Sequence, residues 1–258
     1  MALTFDESVK QSAPAKHQIF FSNFEEITRV MNEQSGDHKF VWDPPNDSTL
    51  LLNHYLDIIW SVHVCKFSEL CHALVDAINH KEFIVYGLIG RSLIEHAAIM
   101  RYYCKHRIKP TVDEAVKTGS VSGDQIKNII NELDRFLRGS KFNWDAFLAG
   151  RFDELFGEKE DSSTQTQVNV LTCVQKWARE TPPVLVLYDL FCDLVHPNIG
   201  STLLIMKKWE EGVGFGGQNG EAFGEDIVIR TLAGLVSLFK DIRSYLNMML
   251  LLQIREEK

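Results

Sequence analysis

The chain has 258 residues, with 35 Asp and Glu against 27 Lys and Arg and a formal net charge of −8. Its composition, 45% hydrophobic and 24% charged, is that of an ordinary globular protein, which excludes disordered, collagen-like and low-complexity classes. The acidic balance excludes a protein that binds nucleic acid or anionic lipid over its whole surface, because such binding needs an excess of Lys and Arg. A local basic patch remains compatible with this charge.

Helical periodicity extends over most of the chain. Residues 1–17 are expected to form a loose tail before a helix over Gln18–Gln34. After a break that ends at Asp47 and Ser48, either of which suits an N-cap, long helices are predicted over Thr49–Asn79 and from Glu82 to about Arg107. Only about three residues join these two helices, so they must fold back as an antiparallel pair.

The second half of the chain is predicted to be helical with one irregular insertion. Thr111–Glu114 and Ser122–Gln125 resemble capping boxes, and the second opens a helix to about Arg138. Short turns are expected within 144–156, and further helices over Val168–Arg179, from Pro182–Pro183 to His196, and over Glu225–Gln253. Residues 200–224 are expected to be a loop or hairpin, because their G-x-G-x-x-G lacks a strand-then-helix context. We therefore predict an all-α, antiparallel helical bundle in which residues 1–258 form a single domain with a small hairpin insertion.

The cysteine pattern, the first residues and the last apolar stretch indicate where in the cell the protein is expected. Five cysteines are odd in number and include no C-x-x-C pair, so neither a disulfide framework nor a zinc ribbon is predicted. The first residues lack the basic start and apolar run of a signal peptide. Charged residues that would be costly in lipid interrupt the apolar stretch 227–254. We expect a soluble, cytoplasmic protein without a membrane partner.

The first candidate site lies in the middle of the second long helix. Arg91 and Glu95 are four residues apart and share a helical face, while His96 lies about 140° around the helix from Arg91. An ordinary surface ion pair would explain this spacing. The apolar residues on both sides of the pair instead place it towards the bundle interior or a cleft, where a charge needs a partner.

The second candidate site is a polar line on the apolar helix that precedes Pro197. Asp189, Asp193 and His196 lie at positions i, i+4 and i+7, within about 40° on one stripe. His196 ends the helix, where the carbonyl dipoles and Asp193 favour its protonated form, as a general acid or a phosphate-binding group would require. The alternative role for His196 is to cap its own helix by bonding the last carbonyls.

Together, RSLIEHAAIMRYY at 91–103 and YDLFCDLVHPN at 188–198 resemble segments of uncharacterised bacterial helical proteins of the HEPN superfamily type. The HEPN signature is an Arg and a His separated by four to six residues, a spacing that both Arg91–His96 and Arg101–His106 have. The resemblance implies a helical bundle, a homodimer and a metal-independent endoribonuclease without a cofactor. It also implies a setting in antiviral defence or a toxin system, with RNA and an antitoxin or defence protein as partners.

The resemblance assigns roles to residues of both segments. Arg91 would supply the fixed cation for a charged phosphorane, His196 or His96 the base or acid, and Glu95 would orient Arg91 or His196. The helix end after Arg91 carries the most concentrated basic and aromatic patch of the chain, which suits an RNA backbone and a stacked base. A solvated helix end would also explain that patch. The predicted substrate-binding residues are Arg101, Tyr102, Lys105, Asp193 and Asn198.

Two other hypotheses compete with cleavage of RNA. A di-metal site could use the carboxylate–histidine pairs Glu69–His72 and Asp193–His196 with Glu95 as a bridge, but the remaining carboxylates have no compelling register. We therefore predict no metal ligands. The second hypothesis is a non-catalytic bundle that binds a nucleotide, a regulatory ligand or a protein partner through the same polar cleft.

Overall fold

The protein is described by a computed structural model, which defines residues 4–40, 46–118, 123–138, 144–155, 169–209, 212–215 and 221–251. Most of these residues are helical, and the strands described are two short ones that pair with each other. The prediction of an all-α protein is therefore confirmed. Buried apolar side chains from both halves of the chain form one continuous core.

The first half of the chain is a series of helices. They are α1 (Glu7–Ser12), α2 (Ala15–Gln34), α3 (Ser48–Asn79), α4 (Phe83–Tyr103), a π-helical turn (Cys104–Ile108), α5 (Lys109–Thr118) and α6 (Gly123–Arg138). The side chain of Asp47 accepts a hydrogen bond from the Leu50 N–H at 3.0 Å, which caps the start of α3 as the sequence predicts. Thr111 lies inside α5, and its hydroxyl donates to the carbonyl of Arg107, so the first predicted capping box is wrong.

The second half contains shorter elements before one long helix. They are α7 (Trp144–Leu148), a 3₁₀ turn (Phe152–Leu155), α8 (Val170–Ala178), α9 (Pro183–Val195), α10 (Ile199–Ile205), strands β1 (Met206–Trp209) and β2 (Gly212–Phe215), and α11 (Glu221–Leu251). The strands pair antiparallel, with Met206 opposite Phe215 and Trp209 opposite Gly212, which gives the expected hairpin. The insertion is partly helical, because α10 occupies its first residues. Gly216–Gly220 and Ser122 lie outside the described residues.

Helix α4 is the central element of the fold. It packs against α3 on one side and against α8 and α9 on the other. The turn between α3 and α4 is tight because Lys81 takes a left-handed conformation, with φ of 59°, and the N–H of Glu82 bonds to the carbonyl of Ala77. A hydrogen bond of 2.6 Å joins the buried hydroxyls of Tyr86 on α4 and Thr231 on α11. The helix that carries Arg91 is therefore fixed on several sides.

The start of the chain is docked, so the expected loose tail over residues 1–17 is wrong for the residues described. Phe5 is 3% exposed and packs edge-on against Phe21, with ring centroids 5.0 Å apart. The Phe5 N–H donates to Glu25, and the side-chain amide of Asn79 bonds to the backbone of both Thr4 and Asp6. Burial of a single aromatic ring and these backbone hydrogen bonds hold the residues that precede α1.

Two stretches, Leu50–Asn79 and Phe83–Glu114, are long and apolar enough to span a membrane by length and composition alone. About half of the most apolar window in each, 50% and 56%, is buried inside the fold. Core helices of soluble proteins have the same properties, so these two stretches are weak evidence for a membrane protein. The cytoplasmic location stays a prediction.

Candidate functional site

The crossing of α4 and α9 is close because glycines on α4 face large side chains on α9. A Cβ placed at Gly90 would lie 2.6 Å from the Phe191 ring, and one at Gly87 would lie 3.0 Å from the Cβ of Leu194. These distances leave no room for any side chain at Gly90. The backbones therefore approach closely enough for side chains next to this contact to reach each other across the crossing.

Arg91, Glu95 and Tyr188 meet beside this crossing. The Nε of Arg91 donates to Glu95 Oε1 at 2.8 Å, and the Tyr188 hydroxyl donates to the same oxygen at 3.1 Å. The guanidinium carbon of Arg91 lies 5.8 Å from the centre of the Tyr188 ring. The side chains of Arg91 and Glu95 are 30% and 25% exposed, so the pair borders solvent at the edge of the core. The pair therefore lies at the border between the core and solvent, beside the crossing of α4 and α9.

His196 completes the group from the C-terminal end of α9. Its Nε2 lies 3.3 Å from Arg91 Nη1, so the three side chains predicted to act together do converge. Guanidinium nitrogens only donate, so Nε2 is the acceptor, and the contact needs an imidazole without a proton on that nitrogen. This is the reverse of the protonated form that the sequence favours. The ring does not cap α9; the backbone N–H of His196 bonds to the carbonyl of Cys192 instead.

A tight corner of backbone fixes His196. Its carbonyl accepts hydrogen bonds from the N–H of Asn198 at 2.8 Å and from the hydroxyl of Ser201 at 2.6 Å. The residue itself is extended, with φ of −81° and ψ of 154°, which is the conformation that Pro197 imposes on its predecessor. The position of the imidazole next to Arg91 is therefore set by the turn between α9 and α10.

The electrostatics of the site follow from its partial burial. The hydrogen bond from Arg91 to Glu95 raises the pKa of the guanidinium, which stays charged. Burial, and then the charge of Glu95, raises the pKa of Tyr188 to about 12, so its hydroxyl keeps its proton and acts as a donor. Burial also raises the pKa of Cys192, which lies against Arg91 and Tyr188 and is therefore a thiol at neutral pH.

The remaining predicted residues of α9 and its corner lie beside this group. The carboxylate of Asp193 rests on the first turn of α10, where a Cβ at Gly200 would be 2.2 Å from Asp193 Oδ2. No described hydrogen bond joins Asp193 to Arg91 or His196. Asp189 is exposed, and Asn198 acts through its backbone, while its buried Oδ1 has no hydrogen-bond partner in the described part of the chain.

His96 is separate from this group. It lies on another side of α4, towards α3, where burial and the charge of Lys66 lower its pKa. Its electrostatic neighbour is His63, a histidine on α3 that is only 2% exposed. The structure therefore places His96, a predicted base or acid, away from Arg91. Each residue turns a helix by about 100°, so His96 points towards α3 while Arg91 points towards α9.

The sequence predicts that Arg101 contacts substrate, whereas the structure buries its side chain. Its side chain is 4% exposed, and it pairs with Glu180 at 2.5 Å while its guanidinium carbon lies 5.6 Å from the Tyr245 ring. Lys105 pairs with the same carboxylate. Arg101 therefore joins α4 to the turn between α8 and α9, whereas Lys105, 36% exposed, and Tyr102 remain at the surface of the patch.

The di-metal hypothesis requires carboxylate and histidine side chains that lie close together. Among the described residues, no group of three His, Cys, Asp or Glu side chains could hold a metal ion. Glu69 is exposed on α3, and no described contact joins it to Glu95 or His196.

No protein-family model, curated protein or solved structure matches the chain.

Two members of the site were not assigned a role from the sequence. Tyr188 and Cys192 lie in the segment that carries the resemblance, five residues and one residue before Asp193, which was assigned. Tyr188 is at i−8 and Cys192 at i−4 from His196, so helical spacing alone places both on its face. Their aromatic and apolar character is also typical of core residues, and only the contact with Glu95 shows that Tyr188 has a polar role.

Proposed function

We propose that the protein is a metal-independent endoribonuclease whose site is Arg91, Glu95, His196 and Tyr188. The observation that carries the proposal is the contact of 3.3 Å between the guanidinium of Arg91 and the imidazole of His196, formed by side chains 105 positions apart in the sequence. Cleavage of RNA without a metal needs a base for the 2′-hydroxyl and a fixed cation for the phosphorane, and these two side chains supply both.

Before substrate binds, the guanidinium of Arg91 donates a hydrogen bond to Nε2 of His196. When a phosphodiester binds, Arg91 Nη1 turns from His196 to a phosphate oxygen, which frees Nε2 of the imidazole. Nε2 then accepts the 2′-hydroxyl proton as the 2′-oxygen attacks phosphorus, and the bond from phosphorus to the 5′-oxygen breaks. The imidazolium formed in this way returns the proton to the 5′-oxygen. The products are a 2′,3′-cyclic phosphate and a 5′-hydroxyl end, so protons and electrons balance without a co-reactant.

Glu95 and Tyr188 act as positioning residues in this scheme. Glu95 holds the Nε edge of the guanidinium, so that the Nη nitrogens are directed towards His196 and the solvent-facing side. Tyr188 donates to Glu95 and supports the guanidinium with its ring. Among the described residues, the hydrogen bonds of Arg91 involve Nε and Nη1, which leaves Nη2 as a second donor to the phosphate beside Nη1.

The rival function is a non-catalytic binding module, and one observation favours it. The positive charge of Arg91 is already neutralised by Glu95 at 2.8 Å, which weakens its attraction for a phosphate. The contacts of this pair with His196 and Tyr188 also suit a static link between α4 and α9. A bundle with this link could bind a nucleotide, a regulatory ligand or a partner protein. The homodimer and a role in antiviral defence or a toxin system rest on the HEPN resemblance alone, whereas the cytoplasmic location is expected from the cysteine pattern.

Cleavage assays with alanine variants separate the two functions. Labelled single-stranded RNA is incubated with wild-type protein in the presence of a chelator, and Arg91→Ala and His196→Ala are compared with it. We expect losses of about 10²-fold or more for each variant, the usual effect of removing a general base or a charge-stabilising group. Arg29→Ala is the matched control, because Arg29 also pairs with a glutamate four residues on, at an exposed position of α2.

The outcomes distinguish the hypotheses. Wild-type activity that survives the chelator and is lost in the two site variants, with circular dichroism unchanged, supports the nuclease. Wild-type protein that leaves every RNA intact contradicts it and supports the binding module. Equal activity of His196→Ala and wild type would remove His196 from the mechanism.

A further inference from the structure

A second cationic group lies on the same helix as the candidate site. Tyr102 follows Arg91 by eleven residues, which corresponds to a displacement of about 16 Å along α4 and only about 20° around it. Arg91 and Tyr102 therefore belong to one face of the helix. The face is bordered by α9 at Arg91 and by α8 at Tyr102, where Lys176 approaches.

Tyr102 holds two cations that come from different elements. Lys176 Nζ of α8 lies 4.5 Å from the centre of the ring, and the guanidinium carbon of Arg107 lies 5.6 Å from it. Each contact is a favourable cation–π interaction. The ring face is thus occupied by protein cations, so Tyr102 positions positive charge and is not the base-stacking surface that its residue type suggests.

The π-helical turn is what brings Arg107 to this ring. Arg107 is five residues after Tyr102, and in a regular α-helix it would point about 140° away. The turn over Cys104–Ile108 has i→i+5 hydrogen bonds and widens the helix, which moves Arg107 back towards the face of Tyr102. Such π-helical turns are rare in proteins, and those that occur are often found at functional sites.

The group formed by Tyr102, Lys105, Arg107 and Lys176, here the Tyr102 cluster, carries excess positive charge. Glu180 is shared between Lys105 and Arg101, which holds the pKa of this carboxyl group at about 2, and Glu132 lies 4.0 Å from Arg107. The side chains of Lys105 and Arg107 are 36% and 48% exposed. Burial, and then the charges of Lys176, Arg101 and Lys105, lowers the pKa of neighbouring His106.

We propose that the Tyr102 cluster binds the phosphate backbone of a single-stranded RNA whose scissile phosphate lies at Arg91. This inference rests on the proposed function and adds its substrate class. The separation of about 16 Å corresponds to about five nucleotides at the stacked spacing of 3.4 Å, and to fewer in an extended strand. The substrate is therefore a single strand of several nucleotides, and a dinucleotide that occupies Arg91 does not reach the cluster.

The test measures binding apart from cleavage. Fluorescence anisotropy gives the Kd of a labelled single-stranded dodecanucleotide and of a labelled dinucleotide for His196→Ala protein, which cannot cleave under the proposed mechanism. Lys176→Gln and Arg107→Gln are added singly to this background. The control is Lys16→Gln, the same change of charge at an exposed position of α2, a helix that packs on α3 and α11.

We expect each cluster variant to raise the Kd of the dodecanucleotide about tenfold and to reduce the salt slope of log Kd by about 0.7, the value for one lost phosphate contact on a single strand. Dinucleotide binding should be the same in all variants, and Lys16→Gln should bind both RNAs like its parent. Equal dodecanucleotide affinity in the parent and both cluster variants would overturn the proposal.

Failure of this inference and failure of the proposed function give different results. If wild type cleaves RNA while the cluster variants bind normally, the nuclease stands and the cluster is not its RNA contact. If the cluster variants lose RNA affinity while wild type cleaves nothing, the backbone-binding surface stands and the catalytic proposal fails. If the parent binds no RNA, the backbone-binding proposal is overturned whatever the cleavage assay shows.

Discussion

Replacement of Gly90 by alanine should separate α4 from α9 and open the candidate site. The added Cβ would lie 2.6, 2.7 and 2.8 Å from three carbons of the Phe191 ring, whereas ordinary carbon contacts are about 3.5–4.0 Å. The helices must therefore move apart by about 1 Å, or the ring must leave its rotamer. The Tyr188–Glu95 and Arg91–His196 contacts, at 3.1 and 3.3 Å, cross the same gap and would pass beyond hydrogen-bond distance.

The free energy of unfolding should fall by about 1–5 kcal/mol. Overpacking costs about 1–3 kcal/mol, and loss of the two hydrogen bonds adds about 0.5–1.5 kcal/mol each. The better helix propensity of alanine offsets about 1 kcal/mol of this. Urea denaturation followed by circular dichroism measures the change. RNA cleavage should fall further than the loss of folded protein explains, because the geometry of the site is altered in the protein that remains folded.

Two further variants make this reasoning refutable. Gly123→Ala adds the same methyl group at the start of α6, where nothing lies within 4 Å, and we expect no destabilisation. Combining Gly90→Ala with Phe191→Leu removes the outer ring carbons and should recover part of the activity lost by Gly90→Ala alone. If Gly90→Ala is as stable and active as wild type, the close crossing does not position Arg91 and His196.

Two stability predictions concern other parts of the fold. Burial, and then the charges of His96 and Lys66, lowers the pKa of His63 to about 3, so this ring is neutral when folded and takes a proton when unfolded below about pH 6.5. The free energy of unfolding should therefore fall as the pH drops, by roughly 2 kcal/mol at pH 5 relative to pH 7 from this residue. His63→Leu should remove that part of the slope in urea titrations at the two pH values, and an unchanged slope would show that His63 is not the group responsible. Phe5→Ala should cost about 3 kcal/mol in the same assay, because it removes a ring that is 3% exposed, and a cost near zero would restore the loose-tail interpretation of the N-terminus.

Much of the fold could be predicted because most of the helices carry their own signals. The capping side chain of Asp47 and the apolar period fix α3 within one residue of its predicted start, and Pro197 ends α9 where expected. The N-terminal segment could not be predicted, since what orders it is distant in sequence. Phe5 depends on Phe21 and Glu25, and Thr4 and Asp6 depend on the amide of Asn79.

Helical spacing predicts part of the candidate site, and the pairing of Arg91 with His196 was expected only from the family resemblance. Spacing places Arg91 with Glu95 and separates both from His96, and the structure agrees. The meeting of Arg91 with His196 depends on the glycine-mediated crossing of two helices, which no local pattern specifies. The burial of Arg101 and the approach of Lys176 to Tyr102 depend in the same way on how α8 and the turn after it lie on α4. Sequence periodicity gives the face of a helix, whereas the neighbour of that face comes from the tertiary packing.

The corner that holds His196 determines how the site responds to heat and to substrate. Both backbone polar groups of this residue are bonded within a turn between two helices, so the backbone that carries the imidazole has little conformational entropy left to lose when a ligand arrives. Only the guanidinium has to reorient. Because the turn is bonded to the end of α9, we expect the turn to unfold only together with that end of the helix. Activity should therefore disappear with the cooperative unfolding transition itself and not at a lower temperature.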